Sequence, residues 1–563
     1  MLPAPVLALL VAITVGIMLL AGRLRLPSSV LLVASGVALA FVPGLPEVRL
    51  DPQIVLTILL PPLIYATALN VSWRDFRQNL RPIVQLAFGG VVVTALATAA
   101  AAHVLLGLPW SVGFVLGAIV SPPDALAPLT ILRRANLPRR LAVIIEGEGL
   151  ANDATALLLY RIAIAAFGAS AFSPVDAATS FVTIIAGEIG WGLAVGWVLL
   201  RVRRWAHDPQ VELLLSILTP FLAYLPPESL GGSGVLATVV VGLYASWNRP
   251  LLVSAATRLQ STFFWNFFND AIASLLFLTT GLQVRTLLAG NVARSTVQLI
   301  MAAAVVSVVI VVIRFVWVFF CTYAPRLFSA RTRNNPAPPW QWPFAVAFTG
   351  VRGVVSLAAA LAIPLNTASG APFPDRDLLL FLTFAVIVVT LVGQGLLLPF
   401  IARVPSLHDG GEHEHALDRQ AETSLRLAAI HASTTLLKSI DVRADVASSL
   451  HERQADRLSR IREANNRELA LHDAVELCML ACERDAINES YRAGVLHDES
   501  RRRIERELDL RETAIRNYID EELTARFIQK RAFFLHHRVP GLRILNAPIS
   551  RRKRKRRSTC RLS

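Results

Sequence analysis

Gly147-Glu148-Gly149-Leu150-Ala151-Asn152-Asp153 interrupts an apolar run that reads as one helix over 141–166 and that also carries Glu146 and Arg161. An ionisable group inside hydrocarbon costs about 2.5–3.5 kcal/mol on insertion scales, so such groups mark a function or a partner. An adjacent Asn-Asp pair offers oxygen ligands to a hard cation, and the acid can hold a proton instead. The stretch therefore points to a carboxylate over which cation and proton compete, set inside a bundle of membrane-spanning helices.

Composition agrees. Of 563 residues, 54% are hydrophobic and 17% charged, which is the balance of a membrane protein. The average hides a change of texture at 404. Before it, long apolar runs alternate with short loops; from 405 to 563 the chain is rich in Arg and Glu. Residues 1–404 read as a membrane domain, 405–417 as a linker and 418–563 as a cytosolic helical regulatory domain. Apolar runs of about 20 residues fall at 6–22, 28–42, 53–69, 82–106, 110–132, 141–166, 177–200, 211–225, 234–247, 262–283, 297–323, 343–363 and 378–402. The fold class is all-α and polytopic, with about 13 transmembrane helices. The apolar start from Leu2 reads as a first span, not a cleaved leader.

Alternating the loops across the membrane puts the basic clusters around Arg23, Arg74, Arg133, Arg139, Arg201, Arg249 and Arg326 on one side. The other side keeps Arg49, Arg285, Arg294 and Arg376. By the positive-inside rule the N-terminus lies outside and the C-terminus in the cytoplasm. The same rule accounts for most of the net charge of +15, so no nucleic-acid partner is expected. The block Arg551–Arg557 reads instead as a contact for anionic lipid. Cys321, Cys478, Cys482 and Cys560 have neither metal-site nor disulfide spacing. His408, His413 and His415 could bind metal or sense pH, but a solvated linker is the plainer reading. In the C-terminal segment, Leu469, Val475, Leu477, Leu480 and Ile487 form a modest apolar stripe suited to a helical bundle.

Two spans are broken. Ser121-Pro122-Pro123-Asp124 removes two helix donors in the fifth, and Gly350-Val351-Arg352-Gly353 interrupts the twelfth. Irregular backbone is tolerated at that depth only where it is buried or lines an aqueous cavity. Paired interruptions at matching positions of two halves are the sequence mark of a transporter's midplane site. The ionisable residues at membrane depth are Asp124, Glu146, Glu148, Asp153, Arg161, Glu188, Asp270, Arg314 and Arg352. At 100° per residue Gly149 and Asp153 share one helix face, and Glu148 and Asn152 another. Asp124 is the natural second acid at the cavity. Arg352 has no charged neighbour in its own span and is paired here with Glu148, as a structural ion pair joining the halves.

These motifs resemble those of the monovalent cation/proton antiporters, in the sodium/proton exchanger branch. Glu148-Gly149-Leu150-Ala151-Asn152-Asp153-Ala154-Thr155 is similar to the family's Asn-Asp helix, and Ser121-Pro122-Pro123-Asp124 to its unwound helix. Gly350-Val351-Arg352-Gly353 resembles its Gly-x-Arg-Gly helix, and Leu60-Pro61-Pro62-Leu63-Ile64-Tyr65 its early Pro-Pro helix. The likeness runs in order over about 26–403. It implies thirteen spans in inverted repeats, a homodimer, and a mobile core moving against a dimerisation domain. Asp153 would alternate between the transported cation (Na⁺, K⁺ or Li⁺) and H⁺. Asn152 would support it, and Asp124, with Ser121 and Pro122 beside it, would complete the cation site. Glu148 and Arg352 would be the family's core ion pair. Exchange would be electroneutral, by alternating access, without a cofactor and in the cell membrane. Two departures remove oxygens: Gly149 stands where many relatives have Ser, and Ala66 where many have Glu. A regulated channel lined by acids, or a sensor signalling through the cytosolic helices, are the alternatives; no kinase, nucleotide-loop or nucleophile-elbow pattern suggests an enzyme.

Overall fold

The computed structural model describes residues 4–463, apart from 25, 44–50, 126, 130–137, 168–173, 204, 206–207, 253–254, 290–294, 329–337, 368–370, 402–404 and 440–442, together with parts of 476–515. Arg551–Arg557 and three residues of the C-terminal stripe, Leu469, Val475 and Leu477, lie outside the described residues. The described residues are helical, with one isolated β-bridge between Asn366 and Pro372.

In chain order the main helices are α1 (Ala4–Leu24), α2 (Ser28–Ala40), α3 (Ile54–Asn70), α4 (Leu80–Leu106), α5 (Trp110–Val120), α6 (Arg139–Ala166), α7 (Pro174–Arg203) and α8 (Pro209–Ser229). They continue as α9 (Val235–Leu252), α10 (Ala255–Leu282), α11 (Thr296–Phe328), α12 (Gln341–Phe348), α13 (Val354–Leu361), α14 (Arg376–Ile401), α15 (Pro405–Ser439) and α16 (Ala444–Glu463). A helix stands at each of the thirteen segments read as spans. Five of the helical stretches, within α4, α7, α10, α11 and α14, are by themselves long and apolar enough to cross a membrane.

Local chemistry explains the irregularities. α3 begins with a π-helical turn over Ile54–Leu59. Pro61 and Pro62 have no N–H to return to the preceding turn, so that turn widens. α5 stops at Val120 because Pro122 and Pro123 follow. Gly36 of α2 and Gly281 of α10 meet so closely that a Cβ on Gly36 would stand 2.9 Å from Gly281 Cα. Such small-residue contacts let helices approach where hydrocarbon supplies no drive to associate.

The chain divides into two compact units, Met1–Leu417 and Asp418–Ser563. In the first, α5 is largely enclosed, with Val112, Gly113 and every residue over 115–120 buried. α11 shows the opposite pattern. Its Val297, Met301, Val308, Val312, Val316 and Phe320 form an exposed apolar stripe at helical spacing, a face suited to lipid. In the second unit Leu480, Leu508 and Ile515 are buried with Ile487 and Ile504 packed on them. Arg484 bridges Asp509 at 2.6 Å and Glu512 at 2.8 Å.

The linker expected over 405–417 is instead the beginning of α15. Gly410 and Gly411 lie inside it, and a glycine in a helix interior costs only about 1 kcal/mol, too little to end a helix of 35 residues.

Candidate functional site

α6 crosses the interior unbroken and carries Glu148, Gly149, Asn152 and Asp153 along two of its faces. Facing it are two pieces of non-helical chain, 121–125 after α5 and 349–353 between α12 and α13. These breaks touch: the Asp124 N–H donates to Val351 O at 2.7 Å.

Two arginines terminate the half-helices. The Arg352 guanidinium, 1% exposed, donates from Nε to Val120 O at 2.9 Å, from Nη2 to Ser121 O at 3.3 Å and from Nη1 to Gly350 O. Its own N–H is taken by Thr390 Oγ1 at 3.0 Å. The last carbonyls of α5, left without helical donors because the helix stops there and the Asp124 N–H turns to Val351 O, are thus capped by a cation, the favourable charge at a helix C-terminus. Arg314, on α11, does the same for α12, donating from Nε to Ala347 O and from Nη2 to Val346 O, each at 3.1 Å.

The pairing read from the sequence is corrected here. Glu148 pairs with Arg314, Nη1 to Oε1 at 2.7 Å and Nη2 to Oε2 at 3.1 Å, a bidentate bridge with both side chains nearly excluded from solvent. Arg352 is spent on backbone carbonyls. The physical reason is that the open end of α5 and the break at Gly350 offer the Arg352 head group carbonyls without helical donors, whereas Arg314 reaches Glu148 from another helix.

Asn152, fully buried, donates from Nδ2 to Pro123 O, and its Oδ1 has no partner among the described residues. It holds the broken segment after α5 in place. Ser121 was expected among the cation ligands, but its hydroxyl donates to Ala118 O at 3.0 Å and the residue does not line the cavity described next. That i−3 bond is an ordinary way for a serine at a helix end to satisfy the last turn.

Between the breaks, α6, α3 and α10 lies an open cavity of about 790 Å³, counting the solvent at its mouth. Asp124 and Asp153 both line it, as do Pro122, Pro123, Gly149, Thr67 and Ser356. No described residue donates a hydrogen bond to the Asp153 carboxylate. Asp124 is packed on Gly353, where a Cβ would stand 2.6 Å from Asp124 Cγ, so only glycine lets the acid approach the start of α13. Gly149 is a similar case: a Cβ there would run into the Ala125 methyl group. Ala66 turns away from the cavity into the cluster of Tyr65, Leu69 and Trp265, so the oxygen missing there is not missing from this site. The other acids at depth have structural partners. Glu188 accepts from the N–H groups of Ser233 (2.6 Å), Gly234 (3.0 Å) and Leu236 (3.1 Å), capping the start of α9. Arg161 bridges Glu228 at 3.3 Å. Sequence reasoning missed Ser356 and Thr67, which line the cavity.

A family model for the transmembrane region of sodium/hydrogen exchangers matches residues 8–404. The chain is 34% identical over 537 residues to an uncharacterized Na(+)/H(+) exchanger of Mycobacterium tuberculosis, covering 92% of this chain and 97% of that one. It is 31% identical over 426 residues to a sodium, potassium, lithium and rubidium/H(+) antiporter of Bacillus pumilus, covering 74% of this chain and 61% of the relative. Among solved structures, the sodium proton antiporter MjNhaP1 from Methanocaldococcus jannaschii superposes with a TM-score of 0.57 at 18% identity, over 70% of this chain and 96% of that chain. That last likeness concerns the fold.

Proposed function

The chain belongs to the sodium/hydrogen exchanger family, and from that premise we propose that it exchanges Na⁺, or K⁺ or Li⁺ in its place, for H⁺ by competition of both ions at Asp153. The observation that carries this reading is the cavity at the helix crossing, where Asp153 stands beside Asp124 with no described donor to satisfy it. An empty, charged carboxylate is costly to enclose away from water, whereas a protonated or cation-loaded one is not. Only the two loaded forms then pass through an occluded state, which couples the ions and suppresses leak. Asp124 shares the cation's charge. Asn152 fixes the Pro123 carbonyl, while Arg352 and Arg314 hold the two half-helices so that the crossing keeps its shape as one body.

The same reading includes electroneutral one-for-one exchange by alternating access, thirteen spans in inverted repeats and a homodimer. It places the protein in the cell membrane, with the N-terminus outside and residues 418–563 in the cytoplasm. Arg551–Arg557 would there meet anionic lipid. The Bacillus relative's named ions make Na⁺, K⁺, Li⁺ and Rb⁺ the panel to test.

The test is cation-induced collapse of a proton gradient in everted vesicles. Wild type is expected to respond with saturation, and Asp153→Asn to give no response at equal amounts of folded protein. Undiminished activity in Asp153→Asn overturns the site, and a folded wild type without response to any of the four ions overturns the function. Non-saturating flux without proton coupling would favour the channel.

A further inference from the structure

Gly149 and Ser356 both line the cavity, and one supplies what the other cannot. Position 149 has no room for a hydroxyl-bearing side chain. Here that volume is filled by the Ala125 methyl group, which lies against the Gly149 Cα, so a side chain at 149 has nowhere to go. The site nonetheless holds an uncommitted hydroxyl. Ser356, in the first turn of α13, is 2% exposed and lines the cavity with Asp124, Asp153 and Gly353. Its Oγ has no hydrogen-bond partner among the described residues. Buried hydroxyls are nearly always satisfied, and an orphan is costly. Serines near a helix start usually satisfy themselves through backbone bonds within the same turn, as Ser121 does at a helix end. Ser356 does not.

We propose that Ser356 Oγ is a ligand of the transported monovalent cation, taking the place of the hydroxyl excluded at Gly149. The inference rests on the exchange reading above. A hydroxyl bound to a cation presents its lone pairs to the ion and keeps its proton, so it adds an oxygen without adding charge. The one-for-one balance at Asp153 is unchanged. A partly dehydrated Na⁺ needs several oxygens, and a neutral one strengthens cation binding without strengthening proton binding. Ser356 therefore sets the ratio in which Na⁺ and H⁺ compete. Thr67 lines the cavity as well, but its hydroxyl proton is committed to Leu63 O at 2.9 Å.

The experiment is Na⁺-dependent collapse of a proton gradient in proteoliposomes across a range of pH, for wild type, Ser356→Ala and Ser356→Thr. Removing the hydroxyl should raise the apparent KM for Na⁺ about tenfold, with the change falling on KM more than on kcat. Since a proton then displaces Na⁺ at lower acidity, the acid-side midpoint of activity at fixed, near-saturating Na⁺ should move up by about one pH unit. Ser356→Thr, which keeps the oxygen, should hold wild-type KM and midpoint. A merely structural serine would lower folded yield and leave the midpoint in place. Active wild type with unchanged KM and midpoint in folded Ser356→Ala overturns the inference. If Ser356→Ala does not accumulate, a Ser356→Thr variant with a raised KM and a shifted midpoint does so as well. A wild type inert towards Na⁺ at every pH overturns the exchange reading instead.

Discussion

The Glu148–Arg314 bridge makes a quantitative claim about how the transport core is held together. Glu148→Ala leaves the Arg314 cation buried but still bonded to Val346 O and Ala347 O, and should cost about 3 kcal/mol. Arg314→Ala does more harm, because it strands the Glu148 carboxylate and also uncaps the end of α12; about 5 kcal/mol is expected. In the double variant neither charge is left unpaired, so the cost should stay near that of Arg314→Ala alone, a coupling of about 3 kcal/mol. Unfolding by SDS in mixed micelles, followed by the fluorescence of the 10 tryptophans, gives the three free energies. The parallel cycle between Glu148 and Arg352 should show weaker coupling, since the Arg352 guanidinium bonds to backbone carbonyls. Additivity of Glu148→Ala and Arg314→Ala within about 0.5 kcal/mol would falsify the assignment. A stronger coupling to Arg352 would restore the pairing read from the sequence.

Two further outcomes follow from the packing at the crossing. Gly149→Ser should lower folded yield sharply, and adding Ala125→Gly should restore it in fluorescence-detected gel filtration; normal yield of the single variant would mean that the Ala125 contact yields easily. Asn152→Ala loses its bond to Pro123 O and should destabilise the protein by about 1–2 kcal/mol in the same SDS titration while weakening apparent Na⁺ affinity. A loss of stability with no change in affinity would limit Asn152 to a structural part.

The helical class and the place of each apolar segment were legible because membrane insertion demands long runs of one character, and the breaks were legible because Pro122, Pro123, Gly350 and Gly353 have unambiguous backbone chemistry. Asp124 and Asp153 were brought to one cavity as their positions on broken and unbroken spans suggested. Side-chain direction was harder. Which arginine meets Glu148 depends on how α11 lies against α6, and α11 is an apolar helix with no motif around Arg314. Ser121 sits in the expected segment, yet a hydroxyl at a helix end can turn to its own backbone, and it does. Ala66 was misread for a simpler reason. On α3 the cavity is lined by Leu60, Leu63, Ile64 and Thr67, whereas Ala66 packs in the layer of Tyr65, Leu69 and Trp265. Ser356 carried no signal of its own, because an unsatisfied hydroxyl is visible only once its surroundings are known.

The arginine caps also constrain how the chain is assembled. Val120 O is bound by a side chain 232 residues further along. While the polypeptide is being synthesised, α5 is therefore finished long before its terminator exists. Until Arg352 arrives, those carbonyls must be served by water, by lipid head groups or by the insertion machinery. A chain truncated before position 352 should then hold its fifth span poorly inserted and open to quality-control proteolysis, even though every residue of that span is present.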